Sequence, residues 1–371
     1  MNLTPPPFAI AIAGHRHHLI AMPLYDLWGG TALDIEIPKN VFPNDEWLKV
    51  QDELFDNPEH GWFESSYKKK KLHFRKNIPS NGEVKAVLVW HHGICGQSGF
   101  GMKIGDRFAD QALRIREMGE AGIAVYSFDA LGHGFSEGAR FYIPDGQWQF
   151  NRDDLVAFCR VASEDYDNVP LFVSGDSYGG CLALHAAHYL QEHPEECPAN
   201  FIGCSLNCPS IEADLPPKPV ELLLRYGLAP FFPKWTPFFM PHPITSERIW
   251  KDPEARAYYS DPEKMHGLSQ GGVPFCLGTA VGLLTSLQEA QEISRSFKLP
   301  FHVNHGDEDH GVTLSGSQHL YDNCQTPGEK KSLNIVAGGY HGLFSQTDAK
   351  DIIDHEIQWI KDMMKEHAAS Q

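Results

Sequence analysis

The octapeptide Val173-Ser174-Gly175-Asp176-Ser177-Tyr178-Gly179-Gly180 restricts the folds open to this chain more than any other segment. It sets a G-x-S-x-G pentapeptide between a short apolar run, Val169–Val173, and an Ala- and Leu-rich stretch with helical spacing, Tyr178–Gln191. A serine passed so abruptly from strand to helix sits on a strained bend. Glycines two residues to either side, Gly175 and Gly179, keep side chains out of the contact between strand and helix. The bend lifts Oγ at the carboxyl end of a sheet and aims a helix N-terminus at it. Context is what counts, because Gly267-Leu268-Ser269-Gln270-Gly271 also matches the pentapeptide. That copy follows Asp261-Pro262-Glu263-Lys264 in a Pro-rich zone and reads as an ordinary loop.

The surrounding pattern supports the same reading. Strand-like runs at Val84–Trp90, Gly122–Phe128, Val169–Val173 and Phe201–Leu206 alternate with helical spacing at Gly105–Met118, Asp153–Tyr166 and Tyr178–Gln191. Such alternation predicts a mainly parallel sheet with helices on both faces, an α/β class. Between Pro209 and Pro274 the texture turns Pro- and aromatic-rich. From Pro300 the alternation resumes, with strands Phe301–Asn304 and Ser332–Val336 and helices Thr313–Asn323 and Ala349–Lys365. The division is therefore an N-terminal extension at 1–61, a core at 62–208 and 299–371, and an insertion at 209–298 over one edge of the sheet. Within the extension, Asp45–Phe55 reads as a helix capped by Asn44.

Composition removes other classes. Net charge is −17 and argues against nucleic acid as a partner, while 42% apolar and 21% charged residues are ordinary globular usage. No stretch is apolar enough to span a bilayer, and the N-terminus lacks the basic and apolar regions of a secretory signal. The eight cysteines form no C-x-x-C pair, so reduced thiols in the cytoplasm are expected. His302, His305 and His310 around Asp307 could hold zinc. They read rather as a strand end and its loop, and neither metal nor cofactor is expected.

A serine needs a base, and the base an orienter. In a fold of this kind the acid and then the histidine follow the serine in the chain. His341, between glycines after the strand at Ser332–Val336, is the candidate base. Asp309 and Asp307, in the loop after Phe301–Asn304, are the candidate acids, and spacing leaves them nearly even. The oxyanion donors would be the amide of Tyr178 and that of Ile94, in the turn His91-His92-Gly93-Ile94 after an early strand.

With these residues assembled, the chain resembles the monoacylglycerol lipase and serine aminopeptidase S33 branch of the α/β-hydrolases. The resemblance rests on His92-Gly93, Asp129-Ala130-Leu131-Gly132-His133-Gly134-Phe135-Ser136, the bend at Ser177, Tyr340-His341 and Ser260-Asp261-Pro262, and covers roughly residues 62–365. It implies an α/β-hydrolase fold whose insertion at 209–298 is a mostly helical cap, a triad of Ser177, Asp309 and His341, and hydrolysis of lipid esters through an acyl-enzyme. Asp309 is favoured because the family's acid lies three residues after the post-strand glycine, here Gly306. Phe100 and Phe344 stand where glycerol-cleaving relatives carry polar anchors, which places a glycerol head group in doubt. Phe100, Leu223, Phe231 and Phe344 are the candidate substrate-binding residues. The apolar cap residues Val220–Leu224, Tyr226, Leu228, Phe231, Phe232, Trp235, Phe238 and Phe239 read first as lining an acyl tunnel, with packing on the body or contact with a membrane surface as alternatives. A lysophospholipase or acyltransferase would use the same acyl-enzyme, and a non-catalytic binding protein the same fold.

Overall fold

The computed structural model describes residues 45–143, 148–212, 216–237, 245–261, 264 and 275–370. Asn44, Phe238, Phe239 and the second pentapeptide, 267–271, lie outside the described residues. Helix α1 (Asp45–Phe55) leads into β1 (Glu59–Glu64) and β2 (Lys71–Asn77). There follow β3 (Ala86–His91), β4 (Gly101–Ile104), β5 (Arg107–Asp110), α2 (Gln111–Glu120), β6 (Ile123–Phe128), α3 (Trp148–Asp165), β7 (Leu171–Asp176), α4 (Tyr178–Glu192) and β8 (Phe201–Asn207). The insertion contributes α5 (Lys218–Leu222), α6 (Ser246–Ile249), α7 (Pro253–Tyr259) and α8 (Leu277–Ser294). The sheet then resumes with β9 (Phe301–Gly306), α9 (Leu314–Asn323), β10 (Lys331–Val336) and α10 (Ala349–Ser370).

Eight strands form one sheet in the order β1-β2-β6-β3-β7-β8-β9-β10. β1 and β2 run antiparallel at one edge, and every pair from β6 to β10 is parallel. The alternation of side chains along a strand explains the two cores. Val87 and Val89 of β3 pack with α3 and α4, whereas Ala86, Leu88 and Trp90 face α1, α2 and α10. All six residues of β3 and of β6 are buried, which is why these runs are apolar except for His91 and Ser127.

Two expectations are corrected. The helix expected from Gly105 begins at Gln111, because residues 101–110 fold as a hairpin in which Ile104 pairs with Arg107. Its two-residue turn, Gly105-Asp106, opens on a glycine with φ +59, the Gly-x chemistry that hairpins use. The boundary expected at 61/62 falls inside β1, and Leu54 and Phe55 of α1 are buried in the second core, so residues 45–61 are part of the body. All eight cysteines are free thiols. No helix among the described residues is long and apolar enough to cross a membrane.

A buried ion pair braces the strand that carries Ser177. Arg114 of α2 donates through Nε to Glu356 of α10 at 2.9 Å and through a terminal nitrogen to Ser174 of β7 at 2.7 Å; Ser205 of β8 also donates to Glu356. Both charged residues are buried, at 1% and 0% exposure. Burial opposes the Glu356 charge, but Arg114 prevails and holds the carboxyl below its ordinary range. Glu356→Ala would strand the guanidinium, so a loss of about 3–5 kcal/mol is expected in denaturant unfolding.

Candidate active site

Ser177 stands between the last residue of β7 and the first of α4, with φ 56° and ψ −121°. That conformation costs a non-glycine residue about 1–3 kcal/mol and is held by its surroundings. Its amide donates to Asn207 O at 2.9 Å, and its carbonyl accepts from Ser210 N at 2.9 Å and Cys181 N at 3.1 Å. The flanking glycines are obligatory on steric grounds. A Cβ on Gly175 would lie 2.1 Å from Gly179 O, and one on Gly179 would lie 2.2 Å from His91 O. The turn after β3 passes directly beside the serine, since a Cβ on Gly93 would come 3.2 Å from Ser177 Cβ. Ile94 thereby lines the same cleft as Ser177, and the Tyr178 amide belongs to the first turn of α4, which has no intrahelical acceptor.

The loops after β9 and β10 bring Asp309 to His341. Asp309 Oδ2 lies 2.7 Å from His341 Nδ1, while Oδ1 accepts from the amides of Gly311 at 2.7 Å and Val312 at 2.8 Å. Asp307 is exposed and instead accepts from Gly338 N at 2.6 Å, so it helps shape the loop that carries His341. Burial would raise the Asp309 pKa, but His341 and the Val312 amide bring it down to about 2. For His341, burial works against the charged ring. Asp309, then Asp176 and Asp110, outweigh it and hold the imidazole above its ordinary value.

Ser177 and His341 line one cleft, which encloses about 920 Å³ outside the atoms, open solvent at its mouth included. Phe100 and Phe344 also line it. Leu223 and Phe231 do not: they are 57% and 50% exposed, a correction with a clear cause. Leu224, Leu228 and Ala229 turn toward Leu277 and Val281 of α8, and the neighbouring side chains are thereby sent outward. Tyr226, Phe232 and Trp235 share that exposed outer side of the insertion.

Wall residues to which the sequence reading gave no role include Asp110, Asp176, Asn207, Ile249, Trp250 and Tyr259. The one usable signal was Ser260-Asp261-Pro262, which Tyr259 immediately precedes. The insertion is also pinned to the His341 loop, where Gly342 N donates to Ile249 O at 2.7 Å.

His302, His305 and His310 do not converge. His302 meets Asn304 at 3.1 Å and stacks on Trp359, His305 meets Ser317 at 2.7 Å, and His310 lies against Tyr340. An odd spacing along β9 sends the first two to opposite faces. Cys208, His305 and Asp309 do offer ligand atoms within 4.8 Å of one another, the grouping among the described residues that could hold a cation. One of its members is the carboxylate already paired with His341.

The family described as serine aminopeptidase, S33 matches over residues 82–348. A monoacylglycerol lipase from Mycolicibacterium smegmatis is 27% identical over 278 residues, covering 74% of this chain and 88% of that protein. Caffeoylshikimate esterase from Arabidopsis thaliana is 26% identical over 344 residues, 90% of this chain and 92% of that one. The chain spans 27% of the length of an uncharacterized abhydrolase domain-containing protein from Dictyostelium discoideum, at 26% identity over 280 residues. Among solved structures, a soluble variant of monoglyceride lipase from Saccharomyces cerevisiae in complex with a substrate analog superposes with a TM-score of 0.61. The match covers 89% of this chain and 99% of that chain at 18% identity, a likeness of fold.

Proposed function

The chain belongs to the serine aminopeptidase S33 family and is a monoacylglycerol lipase-like α/β-hydrolase; from that premise we propose that it cleaves carboxylic esters of lipids through an acyl-enzyme on Ser177. Ser177 Oγ attacks the ester carbonyl as His341, through the ring nitrogen not engaged by Asp309, takes its proton. The imidazolium returns that proton to the departing alcohol. Water, activated by the same ring, then releases the acid. Asp309 fixes the imidazole tautomer and offsets its transient charge. The amides of Ile94 and Tyr178 take the negative charge of the tetrahedral intermediate.

One observation carries the reading: a buried carboxylate 2.7 Å from an imidazole in the cleft that also holds a serine on a strained bend. The apolar walls formed by Phe100, Leu343 and Phe344 suit an acyl chain. Two relatives named for different esters leave the alcohol portion open to the chemistry of the remaining walls.

The test is active-site labelling with a fluorophosphonate followed by a pH profile. A single adduct on Ser177 is expected. An imidazole must be neutral to act as base, so kcat/KM should fall as pH drops through a midpoint above the ordinary imidazole value of about 6.5. Absence of the adduct, or a profile flat across that range, would refute the mechanism.

A further inference from the structure

The cleft holds a carboxyl that the acyl-transfer chemistry does not use. Asp110 ends β5 and precedes α2, with φ 57° and ψ −142°, a backbone conformation rare outside glycine. A carboxylate at that position ordinarily caps the helix, yet this one makes no capping hydrogen bond. Its Oδ2 accepts instead from the Tyr259 hydroxyl of the insertion at 2.9 Å. Asp110 is 6% exposed, and what remains open faces the cleft shared by Ser177 and His341.

Its neighbours decide what it could meet there. Phe100 and Tyr259 stack at 4.3 Å and 2°, and Tyr259 and Trp250 at 4.2 Å and 23°, so the ring that carries the hydroxyl is held by two stacked neighbours. Asp176 is a second acid in the same wall, and among the described residues lining the cleft there is no Lys or Arg. Burial, with Asp176 adding to it, outweighs hydrogen bonds from Tyr259, Trp250 and the Gln111 amide and pushes the Asp110 carboxyl up to about 7. Asp176 is itself paired with Arg114 at 3.8 Å, so Asp110 is the acid of this wall left to welcome a group that brings a proton to share. Two carboxyl oxygens offer about four lone pairs, so acceptor capacity remains beyond those three donors.

We propose that Asp110, positioned by Tyr259, selects ester substrates that carry a hydrogen-bond donor, a hydroxyl or an ammonium, close to the scissile bond. This rests on the hydrolase reading above and adds a specificity-determining residue to it. The competing role is mechanical. Asp110–Tyr259 also joins the insertion to the body, as do Arg107–Asp252 at 2.9 Å and Lys251–Gly338 O at 2.7 Å. A strut would affect every ester alike, whereas a selecting group changes their ratio.

The experiment uses the full chain and three esters of one fatty acid: methyl, 1-glyceryl and 2-(dimethylamino)ethyl. The wild type should favour the glyceryl or the aminoalkyl ester over the methyl ester in kcat/KM by about tenfold or more, the difference residing in KM. Asp110→Ala should erase that ratio, which cancels any general loss of folded enzyme. Asp110→Asn keeps a neutral acceptor: it should spare much of a hydroxyl preference and abolish an ammonium preference, separating the two donors. Tyr259→Phe, which removes the positioning hydroxyl and leaves the ring stack, should reduce the ratio without erasing it. Ratios unchanged in the Asp110 variants, or a wild type indifferent to the donor while turning over the methyl ester, overturn the proposal alone. No turnover of any ester, with no fluorophosphonate adduct, removes the hydrolase reading and the proposal together.

Discussion

Replacing Ser177 by alanine lowers kcat by on the order of 10⁴-fold or more and leaves the folded state close to that of the wild type. The two halves of this expectation have separate causes. Among the described residues Ser177 Oγ has one hydrogen-bonding contact, 3.5 Å from Ser210 Oγ, too long to contribute much to stability. The bend itself is held by main-chain hydrogen bonds to Asn207, Cys181 and Ser210, none of which needs the hydroxyl. Chemistry, by contrast, has no substitute nucleophile. Steady-state hydrolysis of the methyl ester and a thermal melt decide the matter, and esterase activity near wild type in Ser177→Ala would remove the acyl-enzyme from consideration.

Gly179→Ala should damage both stability and turnover, because the added methyl has nowhere to go. Its carbon would lie 2.2 Å from His91 O, 2.4 Å from His92 O and 2.8 Å from His91 C, all of them main-chain atoms. A flexible side chain could swing away, but here either the end of β3 or the start of α4 must shift. Overpacking of this kind costs about 3 kcal/mol or more when the backbone itself must yield. The displaced segment continues into Gly93 and Ile94 beside Ser177, so a misplacement approaching 1 Å is worth about 10²-fold in kcat. Denaturant midpoint and turnover on the same preparation test this. A methyl on Gly119, in contrast, meets nothing within 4 Å, so the penalty belongs to the elbow and not to glycine replacement in general.

The parts of this molecule that could be read in advance are those whose physics is local. A strand buried on both faces must be a short, mainly apolar run, as at Ala86–His91 and Ile123–Phe128. A bend with backbone at 2.1 Å from a missing Cβ must carry glycine, as at Gly175. Spacing alone left Asp307 and Asp309 nearly even, and only the family resemblance favoured Asp309; the physical reason needed three dimensions, since both follow β9 and the turn made by Asp309 with the Gly311 and Val312 amides points its carboxylate at His341. The hairpin at 101–110 was hidden because Phe108, Ala112 and Ile115 share a helical interval, although the Gly-x turn Gly105-Asp106 stands just before them. The wall built by Asp110, Trp250 and Tyr259 was out of reach altogether. It joins residues about 140–150 positions apart through an insertion whose aromatic residues follow no period, so the outward-facing Leu223 and Phe231 looked like better candidates than Tyr259.

The hydrogen bond from Gly342 N to Ile249 O ties the insertion to the residue next to His341, and a methyl on Gly342 would lie 2.5 Å from the Trp250 ring. Insertion and imidazole loop are therefore seated against each other at one glycine. Any side chain at position 342 would push the indole and the histidine loop apart, so the spacing between the two is set by the absence of a single methyl group.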